Sequence, residues 1–404
     1  MCTLPVHARI LARDDVRVEG DAVDQLARVA GFPGCVRAVG LPDLHPGPGI
    51  PIGAAFAFRD AVWPGLVGGD AGCGARLVAL SKTRMRGDAL ERRVREWTEG
   101  PPLPDADPDA LLAAVWARGP RGLAEVPGVP ASLAALAEVE APEPDGPVAP
   151  LPFEGRFGAS LGTVGGGNHF AEISEVTEVA DKPRARALGL RHGGTVVLVH
   201  SGSRGLGKAL ADRWGLRALT GADQAQYLGE LAGALRFARA NRLVIAWRLL
   251  GALGSARPSR VAHQVDLIHN SVVRGTLGGQ GVWVHRKGSA PAEAGQPTVV
   301  LGSRGTPSWV MEGTGSEDSL ASVAHGAGRA MGRSEAVAKL KPAMTRKSLL
   351  RTASGGRVIC DDPELLYAEH PKAYKPIGPV VDSLVEAGLA RPVAALLPQF
   401  TVKR

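Results

Sequence analysis

Glycine-rich turns alternate with apolar, β-branched runs along this chain of 404 residues. The clearest case is Gly65–Gly74, GLVGGDAGCG, which lies between the apolar runs Ile50–Phe58 and Arg76–Leu80. So many glycines are unfavourable inside a helix, whereas short runs with aromatic or β-branched residues are typical of strands. The 53 glycines and 31 prolines are about a fifth of the chain, below the roughly 25–30% of low-complexity disorder. We therefore expect a folded protein with many tight turns, whose first part, to about residue 80, forms strands and glycine loops.

The remaining patterns mix helices and strands without regular alternation. Apolar residues recur at three- and four-residue spacing over 88–140, which predicts helices there. The sequence also predicts mostly helix over 205–275, and further helices over 326–340 and near 380–386. Strands are predicted at Thr195–His200, Val282–His285, Thr298–Leu301 and Val393–Leu397. Because regular βαβ units are missing, we expect an α+β fold in which helices flank a β-sheet core.

A proline-rich stretch, Ala141–Pro152, bears on the number of domains. It could be a linker between two domains or a loop on the surface of one. The length of the chain allows either arrangement. We favour the surface loop and predict a single catalytic domain over residues 1–404.

Charge and cysteine content narrow the class of protein. The net charge of +7 and pI of about 9.5 suit a polyanionic partner such as RNA, although a bias toward arginine explains them equally well. The four cysteines are scattered and form no CxxC pair, which argues against a disulfide framework or a zinc ribbon. Neither a secretory signal nor an apolar run of membrane-spanning length is evident. We therefore expect a cytoplasmic protein without a membrane partner.

Four of the ten histidines stand at strand ends or in short polar motifs: His169, His200, His285 and His325. A strand end holds a histidine rigidly while the following loop leaves room for a ligand. Asp70 and Cys73 add a carboxylate and a thiol in the flexible motif GGDAGCGAR. Together these groups suit a borderline transition metal, and so many ligands would allow two metals to share one. Taken singly, each histidine is better explained by a core or surface role, and Cys73 by a small buried side chain.

Two glycine loops could bind anions. Gly165–Asn168 and Ser201–Gly205 offer backbone N–H groups, and Arg204 could hold a phosphate with two hydrogen bonds. Neither loop matches a known phosphate-binding pattern, so tight turns explain them as well. His325 precedes a predicted helix start, where the helix dipole would favour a phosphate beside the imidazole. An imidazole can attack phosphorus, but this histidine could equally be a helix cap.

These motifs, in this order, resemble the RtcB family of RNA ligases over nearly the whole chain. The resemblance rests on PDLHPGPGIPIGAAFAF (Pro42–Phe58), GGDAGCGAR (Gly68–Arg76), GTVGGGNHFAEI (Gly162–Ile173), HSGSRGLG (His200–Gly207), HRKGSAPA (His285–Ala292), GSRGTPSW (Gly302–Trp309), HGAGR (His325–Arg329), PKAYK (Pro371–Lys375) and Lys403. It implies a mixed RtcB-like fold with a metal site in a central cleft. It also implies two Mn²⁺ ions, GTP, and joining of RNA 2′,3′-cyclic phosphate or 3′-phosphate ends to 5′-hydroxyl ends.

The resemblance also assigns roles to individual residues. His325 matches the histidine that becomes guanylylated. The metal ligands implied are Asp70, Cys73, His169, His200 and His285. The nucleotide-binding residues expected are Asn168, Phe170, Glu172, Arg204, Ser303, Ser308, Arg329, Tyr374 and Lys403. Asp43 and His45 resemble residues that support the metal site.

Some positions depart from the usual family pattern. The unusual residues are Gly69, Ala71, Arg304, Trp309, Gly332 and the final Lys-Arg pair. None removes an expected ligand, so they bear on the choice of substrate. The PDLHP motif and the C-terminal region resemble the bacterial branch associated with release factor H, which implies cleaved ribosomal RNA as substrate and the ribosome as partner. Transfer RNA splicing and an archease-like helper remain open. A metal-dependent RNA phosphoesterase and a non-catalytic RNA- or ribosome-binding factor are the alternatives.

Overall fold

The computed structural model describes residues 4–81, 87–143, 148–153 and 157–404. Its helices are α1 (Gly20–Ala30), α2 (Gly87–Thr98), α3 (Pro108–Arg118), α4 (Ala131–Glu138), α5 (Lys182–Ala187), α6 (Gly205–Trp214), α7 (Gly221–Ala252), α8 (Arg333–Leu340), α9 (Arg346–Leu349), α10 (Pro363–Ala368) and α11 (Ile377–Glu386). Its strands are β1 (Ala8–Ile10), β2 (Cys35–His45), β3 (Ile52–Phe58), β4 (Gly74–Leu80), β5 (Phe170–Val179), β6 (Thr195–Ser201), β7 (Val261–Ile268), β8 (Ser271–Leu277), β9 (Gln280–Lys287), β10 (Ser289–Pro291), β11 (Pro297–Val300), β12 (Ser308–Gly313), β13 (Ser322–Ala324), β14 (Arg357–Cys360) and β15 (Ala390–Lys403).

Two large sheets carry the fold. The larger has the order β11-β12-β15-β5-β6-β4-β7, with β14 paired to the end of β15. The second has the order β1-β2-β3-β9-β8. Alternating β-branched and small apolar residues allow both faces of the central strands to be buried, and every residue of β4 and β6 is buried. The mixture of sheet and helix confirms the predicted α+β class.

Three predictions of secondary structure need correction. The first part of the chain contains helix α1, whose buried residues Ala22, Leu26 and Val29 lie on one face. The end of the mostly helical range predicted over 205–275 forms strands instead, because β7 begins at Val261 and β8 at Ser271. Their β-branched residues pack in sheets, which overrides any helical spacing.

The third correction concerns the residues after His325. The predicted helix begins only at Arg333, so no helix dipole acts on His325. Instead, Gly326 pairs with Leu301 and Arg329 pairs with Tyr374 as isolated bridges. Gly328 has a φ of 73°, and a Cβ there would lie 2.4 Å from the carbonyl oxygen of Asp43. The chain at this point is an extended segment packed against the end of β2.

Helix α7 fixes the segments where β4 begins and β6 ends, and it also contacts the edge strand β7. The buried Arg242 guanidinium donates to the carbonyl oxygens of Gly72 (2.6 Å) and Ser201 (2.9 Å) and forms an ion pair with Asp266 of β7. The neighbouring Asn241 accepts from the N–H of Gly162 and donates to the hydroxyl of Ser201. One helix turn therefore holds the chain just before Cys73 and just after His200. In the described ranges, no helix combines the length and apolar composition needed to cross a bilayer.

The role of Arg242 as the anchor of these loops can be tested by measuring the stability of the protein. Arg242→Leu removes the closest partner of the Asp266 carboxylate, which keeps only a longer contact with Arg76, and it leaves the carbonyl oxygens of Gly72 and Ser201 without this donor. We therefore expect the free energy of unfolding to fall by about 3–5 kcal/mol. Arg236→Leu, on the same helix, removes one exposed hydrogen bond to the Ala117 carbonyl and should cost less than about 1.5 kcal/mol. Urea unfolding followed by tryptophan fluorescence measures both. Equal midpoints for the two variants would show that Arg242 is not the anchor.

Candidate active site

Four side chains with metal-binding atoms meet at the ends of the central strands. The sulfur of Cys73 lies 3.2 Å from Nε2 of His200 and 3.5 Å from Nε2 of His169. Nε2 of His169 lies 2.9 Å from the Asp70 carboxylate. The ligand atoms of Cys73, His169 and His200 all lie within 4.8 Å of one another. One sulfur, two imidazole nitrogens and a carboxylate form a donor set suited to a borderline divalent transition metal.

Two glycines make this convergence possible. Gly74 begins β4, where a Cβ would lie 2.0 Å from the carbonyl oxygen of Leu267 on β7. Gly202 follows β6, and a Cβ there would lie 2.1 Å from a carboxylate oxygen of Asp70. A side chain at either position would separate the strands or displace a ligand, so the glycine-rich motifs are needed for close approach.

A further imidazole, that of His269, lies beside the cluster. His269 directly follows β7, and its N–H donates to the carbonyl oxygen of Cys73 at 2.6 Å. Its ring centroid lies 5.6 Å from that of His200 and 5.3 Å from that of His325. The residue is fully buried, and neither ring nitrogen has a partner among the described residues. Because an unpartnered buried imidazole is costly, this orphaned ring fits a metal ligand.

His285, by contrast, is not part of the cluster, so its prediction as a ligand needs correction. It lies inside strand β9, and its Nε2 accepts a hydrogen bond from the N–H of Trp63 at 2.9 Å. Its ring packs edge-on against Phe58 at 5.1 Å between centroids. Both contacts belong to the core of the five-stranded sheet. His269, and not His285, lies beside the cluster.

The protonation states of these groups also suit a metal. Burial and the neighbouring imidazoles lower the pKa of His200 and of His269 well below the usual value, so both rings are neutral and can offer a lone pair. Burial and the Asp70 carboxylate raise the pKa of the Cys73 thiol well above its usual value. We infer that this thiol gives up its proton when a cation binds in its place.

His325 lies next to this cluster, directly after the short strand β13. Its ring lies 6.2 Å from that of His200 between centroids. Its Nδ1 donates to the fully buried carboxylate of Asp43 at 2.7 Å, and the same carboxylate oxygen accepts from the backbone N–H of His325. With Nδ1 held in this way, the lone pair of Nε2 is left for the cavity.

A cavity of about 330 Å³ opens next to these imidazoles. Phe170 and Tyr374 contribute aromatic rings to its lining, and Glu172 and Lys403 contribute a buried carboxyl group and a buried amine. The Nζ of Lys403 donates to the carbonyl oxygen of His169 at 2.9 Å, and the hydroxyl of Thr401 donates to Glu172 at 2.8 Å. Burial raises the pKa of Glu172 to about 8 and lowers the pKa of Lys403 to about 8. The pocket is therefore built for a ligand that offers both hydrogen-bond donors and acceptors.

Comparison with known proteins agrees with this geometry. The family model described as tRNA-splicing ligase RtcB matches residues 25–222 and 216–404. The chain belongs to the RtcB family. It is 37% identical to the RNA-splicing ligase RtcB2 of Escherichia coli, over 97% of this chain and 94% of that protein. It is 31% identical to the RNA-splicing ligase RtcB of Mycobacterium tuberculosis, over 94% of this chain and 100% of that protein.

An archaeal relative extends the comparison. The tRNA-splicing ligase RtcB of Archaeoglobus fulgidus is 30% identical over 96% of this chain and 92% of its own length. The predicted family is thereby confirmed, and with it the prediction of an enzyme of the RNA ligase class.

Most residues expected to bind the nucleotide in an RtcB protein line the cavity. They are Asn168, Phe170, Glu172, Ser303, Arg329, Tyr374 and Lys403. His45 lies there as well, whereas Asp43, expected to support the metals, instead bonds His325. Arg329 directs its donors to Glu369, Tyr374 and the carbonyl oxygens of Ala368 and Met331.

Two expected nucleotide-binding residues lie elsewhere. The hydroxyl of Ser308 accepts from the N–H of Gly302 at 3.0 Å, so it shapes the loop that carries Ser303. Arg204 lies outside the cavity, with Nη1 3.4 Å from Nδ1 of His169. It lines a second cavity on the other side of the glycine loop.

Arg304 is a cavity residue whose role the sequence did not indicate. Its guanidinium is buried. Nη2 donates to the carbonyl oxygen of Leu366 at 2.6 Å, while Nη1 has no partner in the described parts of the chain. The buried Glu369 was also missed, although it accepts from Arg329, Arg333 and Tyr374. Glu369 lies in no motif with a recognisable spacing, and Arg304, within GSRGTPSW, stood out only as a departure from the family pattern.

The choice between His269 and His285 can be tested with the metal alone. His269→Ala should weaken Mn²⁺ binding by more than about tenfold, because an inner ligand is lost. His285→Gln should bind Mn²⁺ as the native chain does, since its contacts lie in the sheet core. Isothermal titration measures both, with circular dichroism as a check of folding. Loss of Mn²⁺ binding only in His285→Gln would restore the original assignment.

Proposed function

We propose that this chain joins RNA 2′,3′-cyclic phosphate or 3′-phosphate ends to 5′-hydroxyl ends, with GTP as energy source and Mn²⁺ as cofactor. The observation that carries the proposal is the position of His325. Asp43 holds its Nδ1, and Nε2 is free at a cavity beside Cys73 and the neutral imidazoles of His200 and His269. An imidazole oriented by a carboxylate is an effective nucleophile toward phosphorus.

The other end of the cavity supports guanine as the base. Guanine offers O6 as an acceptor and the N2 amino group as a donor. Lys403 can donate to the first, and the Glu172 carboxylate can accept from the second. Phe170 and Tyr374 give aromatic surface for stacking, and the unpartnered Nη1 of Arg304 adds a hydrogen-bond donor. Adenine carries the opposite pattern, with an amino group at position 6, and would meet Lys403 unfavourably.

Metal ions would be held by Asp70, Cys73, His169, His200 and His269. Bound there, divalent ions supply charge that polarises phosphate groups and stabilises the transition state. Mn²⁺ is our proposal from the family resemblance. The orphaned nitrogens of His269 and the mixed sulfur and nitrogen donor set are consistent with a transition metal.

The reaction would run through His325. Water first opens a 2′,3′-cyclic phosphate to a 3′-phosphate. Nε2 of His325 attacks the α-phosphorus of GTP, so a P–N bond forms while the bond to pyrophosphate breaks. The RNA 3′-phosphate then takes the guanylyl group from His325, and the 5′-hydroxyl displaces GMP as the new phosphodiester forms. A covalent intermediate divides one difficult step into easier ones.

The physiological RNA is a separate part of the proposal. We propose repair of cleaved ribosomal RNA in the cytoplasm, with the ribosome and release factor H as partners, rather than splicing of transfer RNA. The similarity to a relative named RtcB2 and the residues Arg304 and Gly332 at the cavity support a specialised substrate. A metal-dependent phosphoesterase or a non-catalytic RNA-binding factor would leave the buried polar pocket of Glu172 and Lys403 unexplained. An archease-like helper remains a proposal.

The link between Asp43 and His325 can be tested by rate. Asp43→Asn removes the negative charge that fixes the His325 tautomer, so covalent labelling by [α-³²P]GTP with Mn²⁺ should slow by about 10- to 100-fold. Asp24→Asn, an exposed change on α1, should label as fast as the native chain. Labelling of Asp43→Asn at the native rate would show that Asp43 does not assist the reaction of His325.

The substrate can be tested by competition at fixed salt and Mn²⁺. We expect faster sealing of cleaved small-subunit ribosomal RNA in ribosomal particles than of transfer RNA halves. Both substrates should carry a 2′,3′-cyclic phosphate and a 5′-hydroxyl, and His325→Ala serves as the blank. A preference for transfer RNA halves would reject the ribosomal substrate and leave the ligase proposal standing.

A further inference from the structure

A second cavity of about 390 Å³ lies on the opposite face of the large sheet from the candidate active site. Side chains alternate between the two faces of a strand. On β15, Thr401 and Lys403 line the first cavity, whereas Val402 and then Arg404, just after the strand, line the second. The neighbouring β5 repeats the pattern, since Ala171 lines the second cavity between two residues of the first. The two cavities are therefore distinct.

Arginine side chains dominate the polar lining of this cavity. Arg204, Arg248 and Arg404 all reach it. In the parts of the chain that the structure describes, Arg204 and Arg248 form no ion pair with a carboxylate. Arg404 pairs with the exposed Asp361, and its Nε is buried without a partner. Three cations gathered with so little compensating negative charge favour an anionic ligand.

Arg248 is already oriented for such a role. It is 8% exposed, and its Nε and Nη2 donate to the carbonyl oxygens of Trp97, Glu99 and Gly100 at the end of α2. These bonds fix the guanidinium without neutralising its charge. Burial and the nearby charge of Arg404 lower the pKa of Arg248 to about 10. Two like charges held together in this way gain most from an anion between them.

The glycine loop Gly162–Asn168 lies between the two cavities and contributes backbone atoms to the wall of the second. Gly162, Gly165 and Gly166 line the second cavity, and Asn168, further along the loop, lines the first. The guanidinium of Arg204 packs directly on Gly165, where a Cβ would lie 1.7 Å from Nη1. Arg204 also approaches Nδ1 of His169, whose Nε2 contacts Cys73. The loop and Arg204 thus connect the second cavity with the candidate metal centre.

We propose that this second cavity binds a backbone phosphate of the RNA strand whose end reacts at His325. This inference rests on the proposed RNA substrate. The chemistry required is a phosphate oxygen that accepts from Arg248 and Arg404, and a phosphate on RNA or on a free nucleotide would provide it. RNA is the better source, because a strand can cross the loop at Gly165–Asn168 while its end lies at the metal centre. A nucleotide bound at Glu172 and Lys403 is separated from Arg404 by the sheet.

The test uses Arg404, whose side chain is 31% exposed and whose replacement should disturb the fold least. Arg404→Met removes one cation from the cavity. Arg391→Met is the matched control, because it removes the same charge from an exposed position near the other end of β15, about 40 Å away along the strand. Fluorescence anisotropy measures the affinity of each chain for single-stranded RNAs of increasing length that end in a 3′-phosphate, with thermal unfolding as the fold check.

We expect Arg404→Met to bind the longer RNAs about five- to tenfold more weakly than Arg391→Met at low salt. The slope of log affinity against log salt should fall by about 0.7, as expected for one lost contact with a single-stranded phosphate. The shortest RNA should show the smallest difference. Arg248→Met should also weaken binding of the longer RNAs, and its affinity should be measured on the folded fraction of the protein.

Other outcomes overturn the inference in distinguishable ways. If Arg404→Met and Arg391→Met bind RNA equally well and the native chain still seals RNA, only the phosphate site is wrong. If Arg404→Met weakens binding of GTP as much as binding of RNA, the cavity belongs to the nucleotide and not to the strand. If the native chain binds no RNA of any length, both this inference and the proposed function fail.

Discussion

The buried Arg242 guanidinium is the interaction on which the active site depends most. It joins the carbonyl oxygens of Gly72 and Ser201 to the Asp266 carboxylate, and so it holds two ligand loops and strand β7 together from one helix. A charge buried this deeply is tolerated only with such complete pairing. The arrangement brings the loops that carry Cys73, His200 and His269 to one place, and rigid support of this kind preorganises a set of ligands.

The proposed nucleophile comes from a different part of the fold. His325 follows β13, and Asp43 lies on β2 of the five-stranded sheet, whereas the proposed metal ligands lie at the ends of strands in the larger sheet. The candidate active site therefore forms where the two sheets meet. Lys403 and Glu172 add the proposed base pocket from adjacent strands of the larger sheet. Substitutions that separate the sheets should affect binding of the metal and reaction at His325 together.

The sequence predicted the mixed fold and most of the cavity because both are carried by local motifs, such as DAGC and GGGNH. It failed where a side chain's surroundings come from distant residues. His269 follows the end of a strand and has the same placement as His200, but the predicted helix over 205–275 hid that signal. His285 lies within a strand, and only Trp63, far away in sequence, shows that its lone pair is occupied. The single-domain organisation over residues 1–404 stays a prediction.

The central claim is that His325 carries the guanylyl group, and peptide mapping by mass spectrometry tests it most directly. The native chain would be incubated with GTP and Mn²⁺, digested without exposure to acid, and its peptides searched for added GMP. The account predicts one modified peptide, with the GMP on His325, and none in His325→Ala. GMP on Lys403, a lysine at the same cavity with a pKa lowered to about 8, would contradict the account.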